Sequence, residues 1–284
     1  MENSKKAEIL AKALPYMQQH KGKTIVVKYG GNAMINQSLK EAVINDLVLM
    51  KCIGINLVVV HGGGPEINDL LKRINKESKF INGLRYTDKE TMDIVQMVLA
   101  GKINKDLTAM IYKKGGKAIG LCGVDGNMLQ AKKLEADDDL GFVGEISKVD
   151  TDIINSSINA GYIPVISSIA LGKDKETVYN INADTAASSI ASSLNAEKLI
   201  LLTDVPGILT DPSDPSTLIS QLDLNGISQL TSNGVLTGGM IPKVKCCSDA
   251  IKAGVKGAHI IDGRVKHSLL LELFTDEGIG TMIK

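Results

Sequence analysis

Lys28 closes an apolar run, Thr24-Ile-Val-Val-Lys-Tyr, and the chain passes at once into Gly30-Gly31. A second apolar run, Leu57-Val-Val-Val-His, empties into Gly62-Gly63-Gly64. Late in the chain, Thr237-Gly-Gly-Met-Ile-Pro-Lys243 sets glycines ahead of a helix and a cation in its first turn. Glycines at such exits let backbone N–H groups approach an anion with no side chain in the way. Pro65 at the start of a helix leaves free N–H groups and the positive end of the helix dipole behind the glycine triplet. A lysine in a first turn opposes that dipole, a cost that makes sense beside a polyanion. These three loops point to phosphate. The bland alternatives are a strand-end lysine that snorkels to solvent and tight turns that spend chain entropy on glycine without need.

Other residues suit the rest of such a site. Asn180-Ile-Asn182-Ala-Asp184 gathers three short polar side chains at the entry of a small-residue helix. Asn182 there can cap the helix with Asp184 in its first turn, which leaves Asn180 unexplained. Asp184 is the acidic partner that two distant lysines require. Arg85, in Gly83-Leu-Arg-Tyr-Thr-Asp88, suits bidentate capture of a carboxylate; a surface ion pair is the alternative. Thr203-Asp204-Val-Pro206-Gly207 follows an apolar strand, where a base or ribose would dock or where an ordinary turn would form.

Two common nucleotide signatures are absent. Gly22-Lys23-Thr24 looks like the tail of a P-loop, but Met17 stands where the leading glycine belongs and a strand follows rather than precedes it. Gly62–Gly64 opens a helix, yet Ile67 replaces the third glycine of a dinucleotide fingerprint. The 32 basic and 32 acidic residues balance, Arg73, Arg85 and Arg264 are the only arginines, and aromatic residues make up 3%. A nucleic-acid partner needs a basic stripe or stacking rings, so none is expected. No apolar run is long enough to span a bilayer, the first residues lack a signal core, and Cys52, Cys122, Cys246 and Cys247 lack metal-ligand spacing. A cytoplasmic protein with reduced thiols is expected.

The elements that must position these residues alternate. Strands are expected at 24–29, 57–61, 117–121, 162–167, 198–203 and 257–261, and helices at 38–53, 65–75, 88–113, 152–160, 183–194, 242–253 and 267–274. Strands apolar on both faces belong to a covered parallel sheet, which gives an α/β fold of three αβα layers with an open, mainly parallel central sheet. Ligands then sit at the carboxyl ends of the strands. Residues 123–148 depart from the pattern and read as hairpins projecting from the sheet. The polar stretch near 171–178 is the expected lobe boundary. Ahead of the first strand, Ile9, Leu10, Ala13, Leu14 and Met17 form one apolar helical face. Pro15 is expected to kink or split that helix, and the face packs either on its own domain or on a partner subunit.

In this order, Lys-Tyr-Gly-Gly-Asn-Ala-Met, Val-Val-His-Gly-Gly-Gly-Pro, Gly-Leu-Arg-Tyr-Thr-Asp, Asn-Ile-Asn-Ala-Asp, Leu-Thr-Asp-Val-Pro-Gly and Gly-Gly-Met-Ile-Pro-Lys resemble the amino acid kinase family from Lys23 onward. Within it the chain is similar to the arginine-sensitive members that phosphorylate N-acetyl-L-glutamate. The resemblance implies transfer of the γ-phosphoryl of ATP, carried with Mg2+ held mainly by the nucleotide, to the side-chain carboxylate. It assigns Lys28 and Lys243 to the transferring group and Asp184 to orienting them. Gly30, Gly31 and Gly62 fall to phosphate, Gly63, Gly64, Arg85, Asn180 and Asn182 to the acyl amino acid, and Thr203, Asp204, Pro206 and Gly207 to the nucleotide. It implies no metal site of the protein's own.

The same resemblance divides the chain into an N-terminal helix (1–22), a lobe for the acyl amino acid and the dimer (23–172), and an ATP lobe (173–284). It implies that the helix joins dimers into a hexamer, a trimer of dimers, and that arginine inhibits through His267, Glu277 and Gly280. The competing expectations are a sister kinase for aspartate, glutamate or carrier-bound aminoadipate, and a nucleotide sensor without turnover.

Overall fold

The structure, a computed structural model, describes residues 3–284. Its strands are β1 (Thr24–Tyr29), β2 (Asn56–His61), β3 (Phe80–Ile81), β4 (Leu84–Arg85), β5 (Ala118–Cys122), β6 (Leu129–Lys133), β7 (Val143–Val149) and β8 (Ile163–Ser167). They continue with β9 (Ile169–Gly172), β10 (Val178–Ile181), β11 (Lys198–Thr203), β12 (Gln221–Leu222), β13 (Gly257–Asp262) and β14 (Thr281–Ile283). The helices are α1 (Asn3–His20), α2 (Asn32–Ile35), α3 (Gln37–Cys52), α4 (Gly64–Arg73), α5 (Lys89–Gln96), α6 (Asn104–Lys113), α7 (Asp152–Asn159), α8 (Ala183–Ser193), α9 (Leu224–Ser232), α10 (Met240–Lys252) and α11 (Ser268–Leu273).

Eight strands form the main sheet in the order β12-β14-β13-β11-β1-β2-β8-β5. All pairings from β13 to β5 are parallel; β14 runs antiparallel to β13 at one edge. Because side chains alternate across a strand, each strand feeds two cores. Ile25, Val27 and Tyr29 of β1 pack with Val43, Ile44 and Leu47 of α3 and with Leu269 of α11. Val26 packs on the other face with Ala187 and Ile190 of α8 and with Val244 and Cys247 of α10. Helices on both faces of a mainly parallel sheet are the three layers expected. The alternation also puts Lys28 on the α8–α10 face.

The departure at 123–148 is a hairpin, β6 against β7, which closes with β9 and β10 into a small barrel. The stretch 171–178 holds the end of β9, a turn at 173–177 and the first residue of β10. The expected helix at 88–113 is one rod with a π-helical middle: α5, then Met97–Ile103, then α6. Asp88 caps it, accepting from the Thr91 N–H at 2.7 Å. α1 runs through Pro15 without the split that was one of the two expectations there. Pro15 is exposed, so the carbonyl that loses its donor there can turn to water. Met1 and Glu2 of the 1–22 segment lie outside the described residues. α9, β12 and β14 had no counterpart among the expected elements. All four cysteines are free thiols, and among the described residues no helix is long and apolar enough to cross a membrane.

Candidate active site

The carboxyl ends of β1, β2 and β11 open into one cleft. Lys28 leaves β1 and its Nζ lies 2.9 Å from Asp184 Oδ1. From α10, Lys243 Nζ stands 3.7 Å from the other oxygen, Oδ2. Asp184 is 7% exposed. Burial pushes its carboxyl upward, but the charges of Lys28 and Lys243 outweigh that and hold it below the ordinary carboxylate value. Oδ1 accepts no well-aligned hydrogen bond; Lys28 meets it as a charge pair. Asn182 supplies the local reason that Asp184 is placed so. Its Oδ1 accepts from the N–H groups of Asp184 (2.9 Å) and Thr185 (3.2 Å) and starts α8 there.

The glycines differ in what they make possible. Gly31 has φ +69°, and a β-carbon on it would lie 2.5 Å from Asp204 Oδ1. A β-carbon on Gly63 would lie 2.1 Å from Cδ1 of Ile103 in the π-helical turn, and one on Gly62 3.3 Å from the Ala183 β-carbon. Gly64 faces open space. The triplet is therefore pressed between the π turn and the start of α8, with the uncapped N-terminus of α4 behind it.

Arg85 is 7% exposed, so it is not the surface ion pair that its sequence context left open. It takes part in no ion pair among the described residues. Its Nη1 donates to Ser78 Oγ (3.0 Å), Nη2 donates to Asn68 Oδ1 (2.7 Å) and the Gly64 carbonyl (3.2 Å), and the guanidinium stacks 4.7 Å from the Phe80 ring centre. A buried cation held only by neutral groups is poised for an anionic ligand. Asn180 donates from Nδ2 to Thr87 Oγ1 at 3.1 Å, and that hydroxyl donates to the Arg85 carbonyl at 2.8 Å.

Two cavities meet at the lysines. One, of about 560 Å³, is lined by Gly30, Gly62–Gly64, Arg85, Asn180, Asn182 and Asp184. The other, of about 830 Å³, is lined by Thr203, Asp204, Pro206 and Gly207 with apolar Val205, Ile208, Leu236 and Met240. Lys28, Gly31, Asp204 and Lys243 belong to both walls.

The three residues expected to contact arginine lie elsewhere and apart in role. His267 Nδ1 is 2.6 Å from Asp46 Oδ1 of α3, Glu277 is exposed, and the Gly280 N–H points to Glu272 Oε2 at 3.2 Å. Glu272 is itself part of a buried cluster that sequence reading missed: its Oε1 lies 2.6 Å from His259 Nδ1, whose Nε2 lies 2.9 Å from Lys198 Nζ. α1 reaches this region through Tyr16, which hydrogen bonds Asp276, and His20, whose ring meets Phe274 edge-on at 6.1 Å. Lys198 and His259 each interrupt a mainly apolar strand, the one signal that could have singled them out.

The sequence profile of the amino acid kinase family matches residues 23–262. The chain belongs to the amino acid kinase family. Full-length relatives within that family include the acetylglutamate kinases of Clostridium beijerinckii (62% identical, 100% of this chain and 99% of that one) and Clostridium kluyveri (64%, 100% of each). The acetylglutamate kinase of Clostridioides difficile is 58% identical over 100% of this chain and 99% of its own. Among solved structures, N-acetylglutamate synthase from Neisseria gonorrhoeae, complexed with coenzyme A and N-acetyl-glutamate, superposes with a TM-score of 0.85 at 28% identity; the match covers 98% of this chain and 63% of that one. Carbamate kinase from Giardia lamblia shares the fold, at TM-score 0.68 and 18% identity over 92% and 98% of the two chains. The chain is thus an enzyme, a phosphotransferase of this family.

Proposed function

We propose that the protein transfers the γ-phosphoryl of ATP to the side-chain carboxylate of N-acetyl-L-glutamate, forming N-acetyl-L-glutamyl 5-phosphate for arginine biosynthesis in the cytoplasm. The observation that carries this reading is the wall shared by the two cavities, where both lysines stand. An acyl amino acid in the smaller cavity and a nucleotide in the larger would bring acceptor and donor together there. Arg85 would take the substrate α-carboxylate, with Asn180, Asn182, Gly63 and Gly64 around the rest. Thr203, Asp204, Pro206 and Gly207 would face the nucleotide. In terms of the chain, 23–172 carries most of the acceptor side and the dimer contact, and 173–284 the ATP side together with Asn180 and Asn182, which reach the acceptor cavity.

The acceptor carboxylate is ionised at neutral pH, so no general base is needed. The protein has instead to bring two anions together and stabilise charge on the transferring group. Lys28 and Lys243 neutralise that group, Asp184 keeps both ammonium groups aimed between the cavities, and the N–H groups of Gly30, Gly31 and Gly62–Gly64 receive its oxygens. Magnesium would arrive on the nucleotide, held mainly by its phosphates, and would neutralise them.

The resemblance of the sequence motifs to arginine-sensitive members is the ground for arginine inhibition and a hexamer of three dimers. α1 presents Ile9, Leu10 and Leu14 to solvent, a face suited to a neighbouring dimer. The join between α1 and the C-terminal loop is then the place for arginine, near His267, Glu277 and Gly280, with Glu272 the buried carboxylate there.

An ADP-coupled assay tests the activity: turnover is expected with N-acetyl-L-glutamate. Good turnover of unacetylated glutamate, aspartate or an aminoadipate derivative without the acetylated substrate would overturn it. Light scattering that found only dimers, together with activity indifferent to millimolar arginine, would overturn the regulatory part.

A further inference from the structure

His61, the last residue of β2, is 0% exposed and lines neither cavity. Its Nδ1 lies 2.9 Å from the carbonyl oxygen of the next residue, Gly62, and its Nε2 lies 3.1 Å from Asn104 Nδ2. A carbonyl can only accept, so Nδ1 carries the proton; the Asn104 amide can only donate from Nδ2, so Nε2 is bare. The Asn104 amide is itself fixed. Its Nδ2 also reaches the carbonyls of Leu121 (3.0 Å) and Val165 (2.8 Å), and its Oδ1 accepts from Lys105 Nζ at 3.1 Å. The result is a neutral ring in a single tautomer, held from two strands and from α6. Burial, with a smaller contribution from the Lys105 charge, outweighs the bond to Gly62 and keeps the ring neutral down to about pH 4.

The consequence lies in the glycine loop. In a trans peptide the C=O and the following N–H point in opposite directions. With the Gly62 carbonyl drawn onto the buried ring, the Gly63 N–H is turned the other way, toward the cavity that Gly62 and Gly63 line. The other two loop carbonyls are also occupied, Gly63 by the Ile67 N–H at 3.0 Å and Gly64 by Arg85 Nη2 at 3.2 Å. No carbonyl of the triplet is left to repel an anion.

We propose that His61 is a positioning residue for phosphoryl transfer: its Nδ1–H anchors the Gly62 carbonyl and thereby aims the Gly63 N–H at the transferring group. This rests on the phosphoryl-transfer reading of the cleft. It implies a donor needed at Nδ1, rather than mere filling of the space, and so separates two variants of similar polarity. His61→Asn keeps an amide N–H where Nδ1 stood, whereas His61→Gln places its amide where Nε2 stood.

Steady-state kinetics with ATP and N-acetyl-L-glutamate, with binding of a non-hydrolysable ATP analogue alongside, provide the test. The Asn variant is expected to keep kcat within about threefold, and the Gln variant to lose at least tenfold. Both KM values and analogue binding should stay within about threefold, because removing an oriented donor is felt mainly in the transition state. Equal kcat in the two variants, or a larger loss in the Asn variant, overturns the inference. If the Gln variant does not fold, the Asn variant decides alone: a tenfold or greater fall in its kcat overturns the inference, and a smaller one supports it. Absence of phosphoryl transfer by the unmodified protein would instead overturn the functional reading beneath it.

Discussion

Lys28 and Lys243, from opposite ends of the chain, stand against the two oxygens of one buried carboxylate, Asp184, at 2.9 and 3.7 Å. In the absence of substrates that carboxylate balances part of their charge. When a phosphoryl group enters between the cavities, the same geometry offers it two cations already gathered. Replacing either lysine with alanine should lower kcat by roughly 100-fold or more, about 2.7 kcal/mol of transition-state stabilisation, with nucleotide binding changed far less. Asp184→Asn should also lower kcat strongly, since it leaves two like charges without their common partner. Kinetics beside calorimetric nucleotide binding check this; equal losses in kcat and in binding would show the lysines to be binding groups only.

Arg85 is held by Ser78, Asn68 and the Gly64 carbonyl in a fixed pose. Arg85→Lys keeps the charge but loses the planar fork. Its KM for the acyl amino acid should rise by roughly tenfold to 100-fold, with the KM for ATP nearly unchanged. An increase in both KM values would place Arg85 outside the acceptor site.

Gly63 has no room for a side chain, because Ile103 Cδ1 would lie 2.1 Å from a new β-carbon. Gly63→Ala should destabilise the fold by about 1–3 kcal/mol. Ile103→Val, which removes that terminal carbon, should restore part of the loss when combined with it. Urea denaturation of the two single variants and the double variant measures the coupling; strict additivity would mean that the loop relaxes elsewhere.

His61 and Asp46 make opposed contributions to the pH dependence of stability. The His61 ring, at about 4 in the folded protein, lies below its ordinary value. Between those values the unfolded chain binds the extra proton, so acidification from about pH 6.5 to 4 removes roughly 3 kcal/mol. Asp46 is pushed up to about 6 by burial, against the hydrogen bond and charge of His267. The folded state then binds the extra proton, so that contribution is present at low pH and is lost as pH rises through about 6. His61→Asn removes only the first. Relative to the unmodified protein, the variant should gain stability as pH falls from 6.5 to 4.5. Parallel urea midpoints across that range would contradict it.

Much of the fold was legible locally. β1 and β11 fall on the expected bounds, and α8 and the α5–α6 rod start where Asn182 and Asp88 can cap them. Apolar runs and capping residues act over a few neighbours, so the chain announces them. The closing of β6, β7, β9 and β10 into a barrel was not announced, because it depends on pairing between segments far apart in sequence. The antiparallel strand β14, next to the edge strand β12, escaped for another reason: three residues are too few to show a pattern.

For the candidate site, residue types and glycine spacing already spoke of phosphate and of a carboxylate needing a cation. What folding alone decided was which groups meet. Side-chain alternation along β1 turned Lys28 to the α8–α10 face, and packing of those helices brought Lys243 and Asp184 to it. Gly63 lies against Ile103, and His61 lies between Gly62 and Asn104, through contacts that no linear spacing encodes. Local free energy writes the elements into the chain, whereas distances between distant side chains exist only once the sheet and its two layers have assembled.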